Sequence, residues 1–427
     1  MIDQSHTQNP PTGLIKKKQM GVFESILHSR FSRIEKGQLK IYSSGGVSTY
    51  GNCSTGQPVA SIEVKNQGFF RKTCLGGNLG VADSHADGDW DSPDLVALFT
   101  LLLRNMKMLD SMEKGITSIL GRIALWTYQL TMRNTPEGSR RNISLHYDLG
   151  NEFFQLMLDP TMTYSCGIFE SENTTLEEAS LAKYDRILNQ LKVSDGTHIL
   201  EIGCGWGGFA IRAAEKYGCK VTALTISQRQ FEFAQKRVRE AGLSDQVEIV
   251  LKDYRHIQGE YDRVVSIEMV EAVGHKYLPL YFSQISKLLK EDGAAMIQAI
   301  TMPDYRYQGY LKRVDYIRSR VFPGSCVPSV SALIEAAVKD SDLRPARLSD
   351  FGYQYKRTLQ EWRKRFIQNK KAVQSLGHND RFIRDWEYYL CYCEAGFAEG
   401  YTSDVHLLLT KPDCRIARGF TPPNNAR

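Results

Sequence analysis

The chain has 427 residues, with 54 Lys and Arg against 48 Asp and Glu, which gives a formal net charge of +6. Hydrophobic residues make up 42% and charged residues 24%, a globular composition that excludes a collagen-like, wholly disordered or disulfide-scaffold protein. The length predicts two or three domains. The longest apolar run covers residues 95–103, whereas a membrane-spanning helix needs about 20 residues, so an integral membrane protein is not expected.

The cysteines and the first residues indicate a cytoplasmic location. Nine cysteines form no C-x-x-C pair, so we expect free thiols rather than disulfides or a zinc site. The N-terminal residues show no charged-then-apolar export pattern, and no secretory signal is expected. The modest positive charge permits contact with an anionic membrane, and no nucleic-acid partner is expected.

The N-terminal part of the chain predicts a small α+β domain. We expect a flexible tail over residues 1–20 and a domain with its linker over residues 21–135. Strands are predicted at residues 61–64 and 69–74, with turns at the glycines that follow. Ser92-Pro93-Asp94 then opens an apolar helix, because Pro is tolerated in a first helical turn.

Alternating acidic residues between positions 83 and 94 resemble the ligand spacing of a calcium loop, with Gly88 at the sixth position. The twelfth position is Asp94 rather than Glu. We therefore predict no metal site.

Beyond residue 185 the pattern alternates between strand and helix. Such alternation is typical of a parallel sheet covered by helices on both faces. We predict strands at residues 198–202, 220–224, 247–251, 263–267, 294–300 and 405–409, and helices at residues 209–217, 227–241, 278–289, 358–374 and 381–399. This second domain is predicted over residues 136–415, with a tail at 416–427.

A glycine-rich turn between the first of these strands and the following helix is the sharpest local feature. Gly203, Gly205 and Gly208 satisfy G-x-G-x-x-G. Glycines there let the backbone turn tightly and approach a ligand at a helix N-terminus. The pattern alone serves nicotinamide, flavin and adenosyl groups alike.

Two details favour S-adenosylmethionine over NAD. A dinucleotide site expects an acidic residue at the end of the second strand, but that strand ends in Thr225. Glu201 before the turn and Asp253-Tyr254-Arg255 after the third strand suit an adenosyl group better. An NAD-dependent oxidoreductase and a lipid-binding scaffold that has lost catalysis remain as alternatives.

Further motifs occur in a fixed order along the chain, at residues 146–151, 159–166, 201–208, 224–230, 266–274, 321–324 and 393–397. On these motifs the sequence resembles the cyclopropane-fatty-acyl-phospholipid synthases, which include mycolic acid cyclopropane synthases and related fatty-acid methyltransferases. The resemblance spans about residues 60–412. It implies an α/β fold of the class I S-adenosylmethionine-dependent methyltransferase type: a Rossmann-like, mostly parallel seven-stranded sheet with a smaller α+β N-terminal domain.

The resemblance also implies the reaction. An alkene in a phospholipid acyl chain attacks the methyl group of S-adenosylmethionine, and a bound bicarbonate removes a proton from the resulting carbocation to close a ring. Water must be excluded so that the cation is not quenched. A rival outcome is a methylene- or methyl-branched chain.

Site residues follow from the matching motifs. The anion site and its surroundings map onto Cys166, Glu271, Gln298, the backbone of Ile300 and Tyr355, and Tyr147 offers an aromatic face to the cation. Cofactor-binding positions map onto Tyr164, Ser165, Gly203, Gly205, Thr225, Gln230, Tyr254 and Arg255. Many members have His where this chain has Gln298, and Gln cannot titrate near neutral pH.

A phospholipid substrate implies docking on a membrane surface. We expect a peripheral protein on the inner face of the membrane, with contacts from the basic tail, the Arg140-Arg141 pair and an amphipathic helix near residues 95–125. A homodimer is expected from the resemblance only.

Overall fold

A computed structural model describes residues 20–106, 108, 134–135, 138–139, 141–142 and 149–416 of the protein. These residues form two sheets, of four and seven strands. Within the described ranges, no helix is both long and apolar enough to cross a bilayer.

The smaller sheet has the strand order β2-β1-β3-β4. Its strands are β1 (Gln38–Ser43), β2 (Gly46–Gly51), β3 (Val59–Val64) and β4 (Trp90–Asp91), and its helices are α1 (Val22–Phe31), α2 (Gly68–Ala86) and α3 (Leu95–Arg104). β1 is antiparallel to β2 and parallel to β3. Buried Leu27, Ile41, Ile62, Phe69 and Trp90 belong to one core between sheet and helices.

The strand predicted at residues 69–74 is wrong, because this segment belongs to α2. Phe69, Phe70 and Thr73 are buried at helical spacing, so a one-sided core decides the conformation over the β-propensity of aromatic residues. Of the glycines expected to make turns, Gly76, Gly77 and Gly80 lie inside the same helix, which kinks at Gly77, where φ is 53°. Gly88 follows the helix and lies in a turn, as predicted.

The larger sheet has the order β10-β11-β9-β8-β5-β6-β7. Its strands are β5 (His198–Ile202), β6 (Lys220–Thr225), β7 (Val247–Leu251), β8 (Tyr261–Ile267), β9 (Leu289–Thr301), β10 (Arg344–Asp350) and β11 (Ser403–Thr410). Strands β5 to β9 pair in parallel, whereas β11 is antiparallel to both β9 and β10. The predicted mostly parallel seven-stranded sheet is confirmed.

The helices of this half of the chain lie before and between its strands in sequence. They are α4 (Asn151–Gln155), α5 (Leu176–Gln190), α6 (Gly208–Tyr217), α7 (Gln228–Glu240), α8 (Leu278–Leu288), α9 (Asp304–Tyr310), α10 (Val330–Lys339), α11 (Tyr353–Gln368), α12 (Lys370–Ser375) and α13 (Asp380–Ala398). The helix predicted at residues 358–374 is two helices, α11 and α12, separated by Asn369.

Helix α13 connects the two sheets. It packs against α11 on one side and against α2 and α3 on the other. Arg384 on α13 donates to the carbonyl oxygens of His85 and Trp90 at 2.7 and 2.9 Å. The two halves therefore share one continuous apolar core.

The acidic segment near residue 83 is neutralised by cationic side chains. Its ion pairs are Asp83 with Arg320 and Arg381, Asp87 with Lys72 and Arg381, Asp89 with Lys72, and Asp91 with Lys65 and Arg384. In the part of the chain that the structure describes, no cluster of three or more His, Cys, Asp or Glu could hold a metal ion.

The kink in α2 generates a test of its packing. A Cβ at Gly80 would lie 1.9 Å from the carbonyl oxygen of Lys72, whereas a Cβ at Gly76 would meet nothing within 4 Å. We expect Gly80→Ala to lower the free energy of unfolding by about 1–3 kcal/mol in urea denaturation, because the backbone must shift. Gly76→Ala is the matched control and should be neutral or slightly stabilising; an equal loss in both variants would contradict the packing argument.

Candidate active site

One cavity of about 1370 Å³ extends between the two sheets. Its walls include the glycine turn, two carboxylates of the segment after β8, and apolar side chains of α2 and α3. All eight residues predicted to bind the cofactor line it: Tyr164, Ser165, Gly203, Gly205, Thr225, Gln230, Tyr254 and Arg255.

The glycine turn is fixed to the sheet and open to the cavity. The N–H groups of Gly203 and Cys204 donate to the carbonyl oxygen of Leu224 at the end of β6, at 3.0 and 2.8 Å. Gly203 and Gly205 have φ values of 86° and 52°, which glycine adopts without strain. A Cβ at Gly205 would meet nothing within 4 Å, so the backbone there faces free space.

Polar side chains surround this space. Thr225 Oγ1 donates to Gln230 Oε1 at 3.0 Å, which fixes the start of α7 against the end of β6. Arg255 donates through Nε to Asp253 Oδ1 at 2.8 Å. Oε2 of Glu201 is buried without a hydrogen-bond partner in the described structure, and burial raises the pKa of Glu201 to about 8.

The predicted catalytic residues divide into three groups. Glu271, Ile300 and Tyr355 line the cavity. Cys166 and Gln298 are fully buried and lie behind its wall. Tyr147 lies outside the described residues.

Glu268, which the sequence analysis did not select, is the centre of this group. Its Oε1 accepts hydrogen bonds from the Cys166 N–H at 2.7 Å and from Nε2 of Gln298 at 2.8 Å. Its Oε2 accepts a hydrogen bond from Tyr355 Oη at 2.5 Å. Glu268 also has a φ of 48°, a left-handed conformation that is uncommon outside glycine. The available signal was a second acidic residue three positions before Glu271.

A buried polar layer supports Glu268. Gln298 Nε2 donates a second hydrogen bond to Asp404 Oδ2 at 2.7 Å. Lys183 is fully buried and donates to Ser165 Oγ. Burial raises the pKa of Glu268, and the nearby Lys183 ammonium and the Tyr355 hydroxyl oppose that rise. Burial also raises the pKa of the Cys166 thiol, which stays protonated and is a poor nucleophile.

Glu271 is held differently. It lies in a 3₁₀ turn, Val270–Ala272, and its Oε1 accepts the Ile300 N–H at 2.5 Å. Its Oε2 is buried and has no partner in the described structure. Burial, with a contribution from the charge of Glu268, raises the pKa of Glu271 to about 8. Glu268 accepts three hydrogen bonds and Glu271 accepts one, so a negative charge is better stabilised on Glu268 than on Glu271.

Aromatic rings complete the cavity wall beside these carboxylates. Tyr355 stacks on Phe397 with ring centroids 4.2 Å apart, and Tyr164 Oη lies 3.0 Å from Tyr389 Oη. All four rings line the cavity. Such a wall excludes water and offers electron-rich faces to a cation.

The chain is similar to proteins named as cyclopropane synthases and methyltransferases. The family model described as mycolic acid cyclopropane synthetase matches residues 134–407. The tuberculostearic acid methyltransferase UfaA1 of Mycobacterium tuberculosis is 38% identical over 339 residues, which cover 76% of this chain and 77% of the relative. The cyclopropane-fatty-acyl-phospholipid synthase of Escherichia coli is 33% identical over 358 residues, which cover 82% and 88%.

Among solved structures, the mycolic acid cyclopropane synthase CmaA1 complexed with SAH and CTAB is 31% identical, with a TM-score of 0.60. The match covers 64% of this chain and 98% of that structure. The cyclopropane synthase MmaA2 from Mycobacterium tuberculosis gives the same TM-score at 30% identity.

The open space at Gly205 generates a test of cofactor placement. We expect Gly205→Ala to weaken binding of S-adenosylhomocysteine by more than tenfold, about 1.4 kcal/mol, in calorimetry, because the added methyl projects into the cavity. Gly196→Ala is the control: Gly196 also has a positive φ and an open Cβ position, but it does not line the cavity. Equal affinities in the two variants would refute the placement.

Proposed function

Because this chain belongs to the mycolic acid cyclopropane synthetase family and is an S-adenosylmethionine-dependent methyltransferase, we propose that it methylates the double bond of an unsaturated acyl chain in a membrane phospholipid, forming a cyclopropane fatty acid. The observation that carries this proposal is the single cavity that joins a cofactor-type glycine turn to a long apolar wall.

The residues present fit S-adenosylmethionine. The Gly205 backbone faces open space, and the buried, unpartnered Glu201 Oε2 stands beside the turn as an acceptor for polar groups of the ligand. Bound there, S-adenosylmethionine supplies an electrophilic methyl group on a positively charged sulfur. The aromatic wall of Tyr164, Tyr355 and Tyr389 keeps water from that centre.

The residues do not fit a bicarbonate in the manner that the resemblance implies. The Cys166 N–H, the Gln298 amide and the Tyr355 hydroxyl already donate to Glu268, and the Ile300 N–H donates to Glu271. An added anion would meet two carboxylates and no uncommitted donor among these groups, which is unfavourable in an apolar cavity. We therefore assign no step to bicarbonate.

The N-terminal half of the cavity suits an acyl chain. Phe31, Phe69, Trp90, Leu98 and Phe99 line it. The volume of the whole cavity, about 1370 Å³, exceeds the roughly 300–1,000 Å³ of ordinary small-molecule pockets, which leaves room for a cofactor and a lipid tail together. We accordingly propose that residues 21–135 contact the lipid and residues 136–415 perform the chemistry.

An exposed apolar face near α1 and α2 is the proposed membrane contact. Val22, Ile26 and Leu75 are 75%, 39% and 61% exposed, and the last two also line the cavity. Cys74 Sγ donates to the Phe23 carbonyl oxygen at 3.4 Å, which places the two helices side by side. A lipid tail could pass from a bilayer into the cavity between them. We propose a peripheral protein on the cytoplasmic face of the membrane; of the basic contacts expected earlier, Lys16–Lys18 and Arg140 lie outside the described residues.

A methylene- or methyl-branched product is the second candidate. The relative with 38% identity is named as a methyltransferase rather than a cyclopropane synthase. Both products share the first step, in which a methyl group joins the alkene.

The proposed function is tested by supplying methyl-labelled S-adenosylmethionine and oleoyl phospholipid vesicles and identifying the labelled fatty acid by mass spectrometry. We expect label in a cyclopropane acyl chain. Label in a branched chain would select the second candidate. Absence of label in any lipid, from protein that binds the cofactor, would refute both.

The membrane contact is tested separately by vesicle flotation. We expect Val22→Asp to reduce binding to anionic phospholipid vesicles about fivefold, close to 1 kcal/mol, because it puts a charge on the apolar face. Val338→Asp, at a 49% exposed valine on α10, is the control and should leave binding unchanged. Added salt should weaken the binding of both the wild type and the control; equal binding by the two variants would contradict the assigned face.

A further inference from the structure

We infer that Glu268 is a catalytic residue of this chain: its carboxylate is the base that takes the proton from the carbocation, in the place that the resemblance gives to bicarbonate. The inference rests on the proposed function, because it concerns the second half of the same reaction.

The hydrogen bonds of Glu268 carry the inference. Cys166, Gln298 and Tyr355 were three separate predictions for an anion site, and all three converge on one carboxylate at 2.7, 2.8 and 2.5 Å. A carboxylate has the planar shape, the charge and the paired oxygens of bicarbonate. The chain therefore supplies the anion itself, covalently attached.

The arrangement leaves Glu268 able to accept a proton. Two oxygens offer about four acceptor positions, and the three donors named above use three of them. The buried carboxyl of Asp404 also lies within hydrogen-bonding reach of Glu268. Glu268 also lines the cavity, together with Tyr355 and Glu271. Oε1 accepts two of the three hydrogen bonds and Oε2 accepts one, so we assign the proton transfer to Oε2.

The backbone supports the same interpretation. Glu268 is one of three non-glycine residues with a positive φ among the described residues, and its own N–H donates to the carbonyl oxygen of Gln298 at 2.9 Å. Strained backbone of this kind is found at functional sites, where the surrounding structure holds it. The strain sets the Glu268 side chain among its three donors.

Neighbouring charges divide the roles of the two carboxylates. Lys183 is buried near Glu268 and favours its ionised form, whereas Glu271 has one donor and an orphaned oxygen. Ionising both carboxylates is unfavourable, because the charge of Glu268 raises the pKa of Glu271. Glu271 therefore holds a proton while Glu268 acts as the base.

The electrons balance without any further reactant. The alkene π pair forms a bond to the methyl carbon as the carbon–sulfur bond breaks and leaves its pair on sulfur. A C–H bond of the transferred methyl group then breaks. Its electron pair closes the ring, or forms a methylene after a hydride shift, and its proton moves to Oε2 of Glu268. The proton passes to solvent when the products leave.

The inference is tested by removing the carboxylate and returning it in solution. Glu268→Gly suits the positive φ and leaves a space bordered by three donors, so this variant should fold and bind S-adenosylhomocysteine normally. We expect turnover to fall at least about 100-fold and to recover on addition of formate or bicarbonate, because a small anion refills the space. Glu268→Gln fills the space without a base and is the control; it should be equally slow and should not respond to either anion.

Wild-type protein is assayed alongside in buffer stripped of carbon dioxide. We expect its turnover to be unchanged by added bicarbonate. Wild-type activity that disappears without bicarbonate, near-normal activity of Glu268→Gly without any anion, or failure of both anions to restore a variant that still binds cofactor would each overturn the inference. Wild-type protein that methylates no lipid under any condition would instead remove the proposed function.

Discussion

Two carboxylates buried in an apolar cavity are the constraint from which the rest of the site follows. An ionised carboxylate away from water is costly unless donors surround it. Glu268 obtains its donors from three distant parts of the chain, namely the segment before α5, strand β9 and helix α11. These hydrogen bonds tie the segments together, so the fold around the cavity and the ionisation of Glu268 depend on each other.

The same cavity explains why the two halves of the chain share a core. In the proposed reaction the carbocation needs a site without water, and the acyl chain needs a long apolar wall. Helix α13 supplies Tyr389 and Phe397 to the catalytic side and Arg384 to the backbone around β4. The N-terminal helices then extend the apolar wall towards the exposed face at Val22 and Leu75.

Much of the larger sheet is predictable from the sequence, because buried parallel strands occur there as short apolar runs between helical segments. Strands β5 to β9 lie within a few residues of their predicted positions, apart from the earlier start of β9. Strand β10 was not predicted, because its sequence is polar and gives no apolar run. It lies at the edge of the sheet, where almost every residue is exposed. Residues 69–74 were misassigned because the aromatic pair suggests a strand, whereas tertiary packing on α1 and α13 selects a helix. The cofactor positions were predicted from the motifs of the family resemblance, and they line the cavity. Glu268 could not be predicted in this way, since its role depends on donors more than 80 residues away in sequence.

The Gln at position 298, where many family members have His, and the Glu at position 268 form one hydrogen-bonded unit. Gln298 lies on β9 between Ile267 of β8 and His406 of β11, so its side chain is enclosed on both sides. It must donate to Glu268 Oε1 and Asp404 Oδ2 at once, at 2.8 and 2.7 Å, while its oxygen lies 3.3 Å from His406 Nε2. A neutral imidazole offers a single N–H and could satisfy only one of the two carboxylates, and a charged imidazole would add a buried cation beside Lys183. A neutral amide with two donors on one nitrogen meets both needs. In this chain the Gln therefore marks a site built around its own anion.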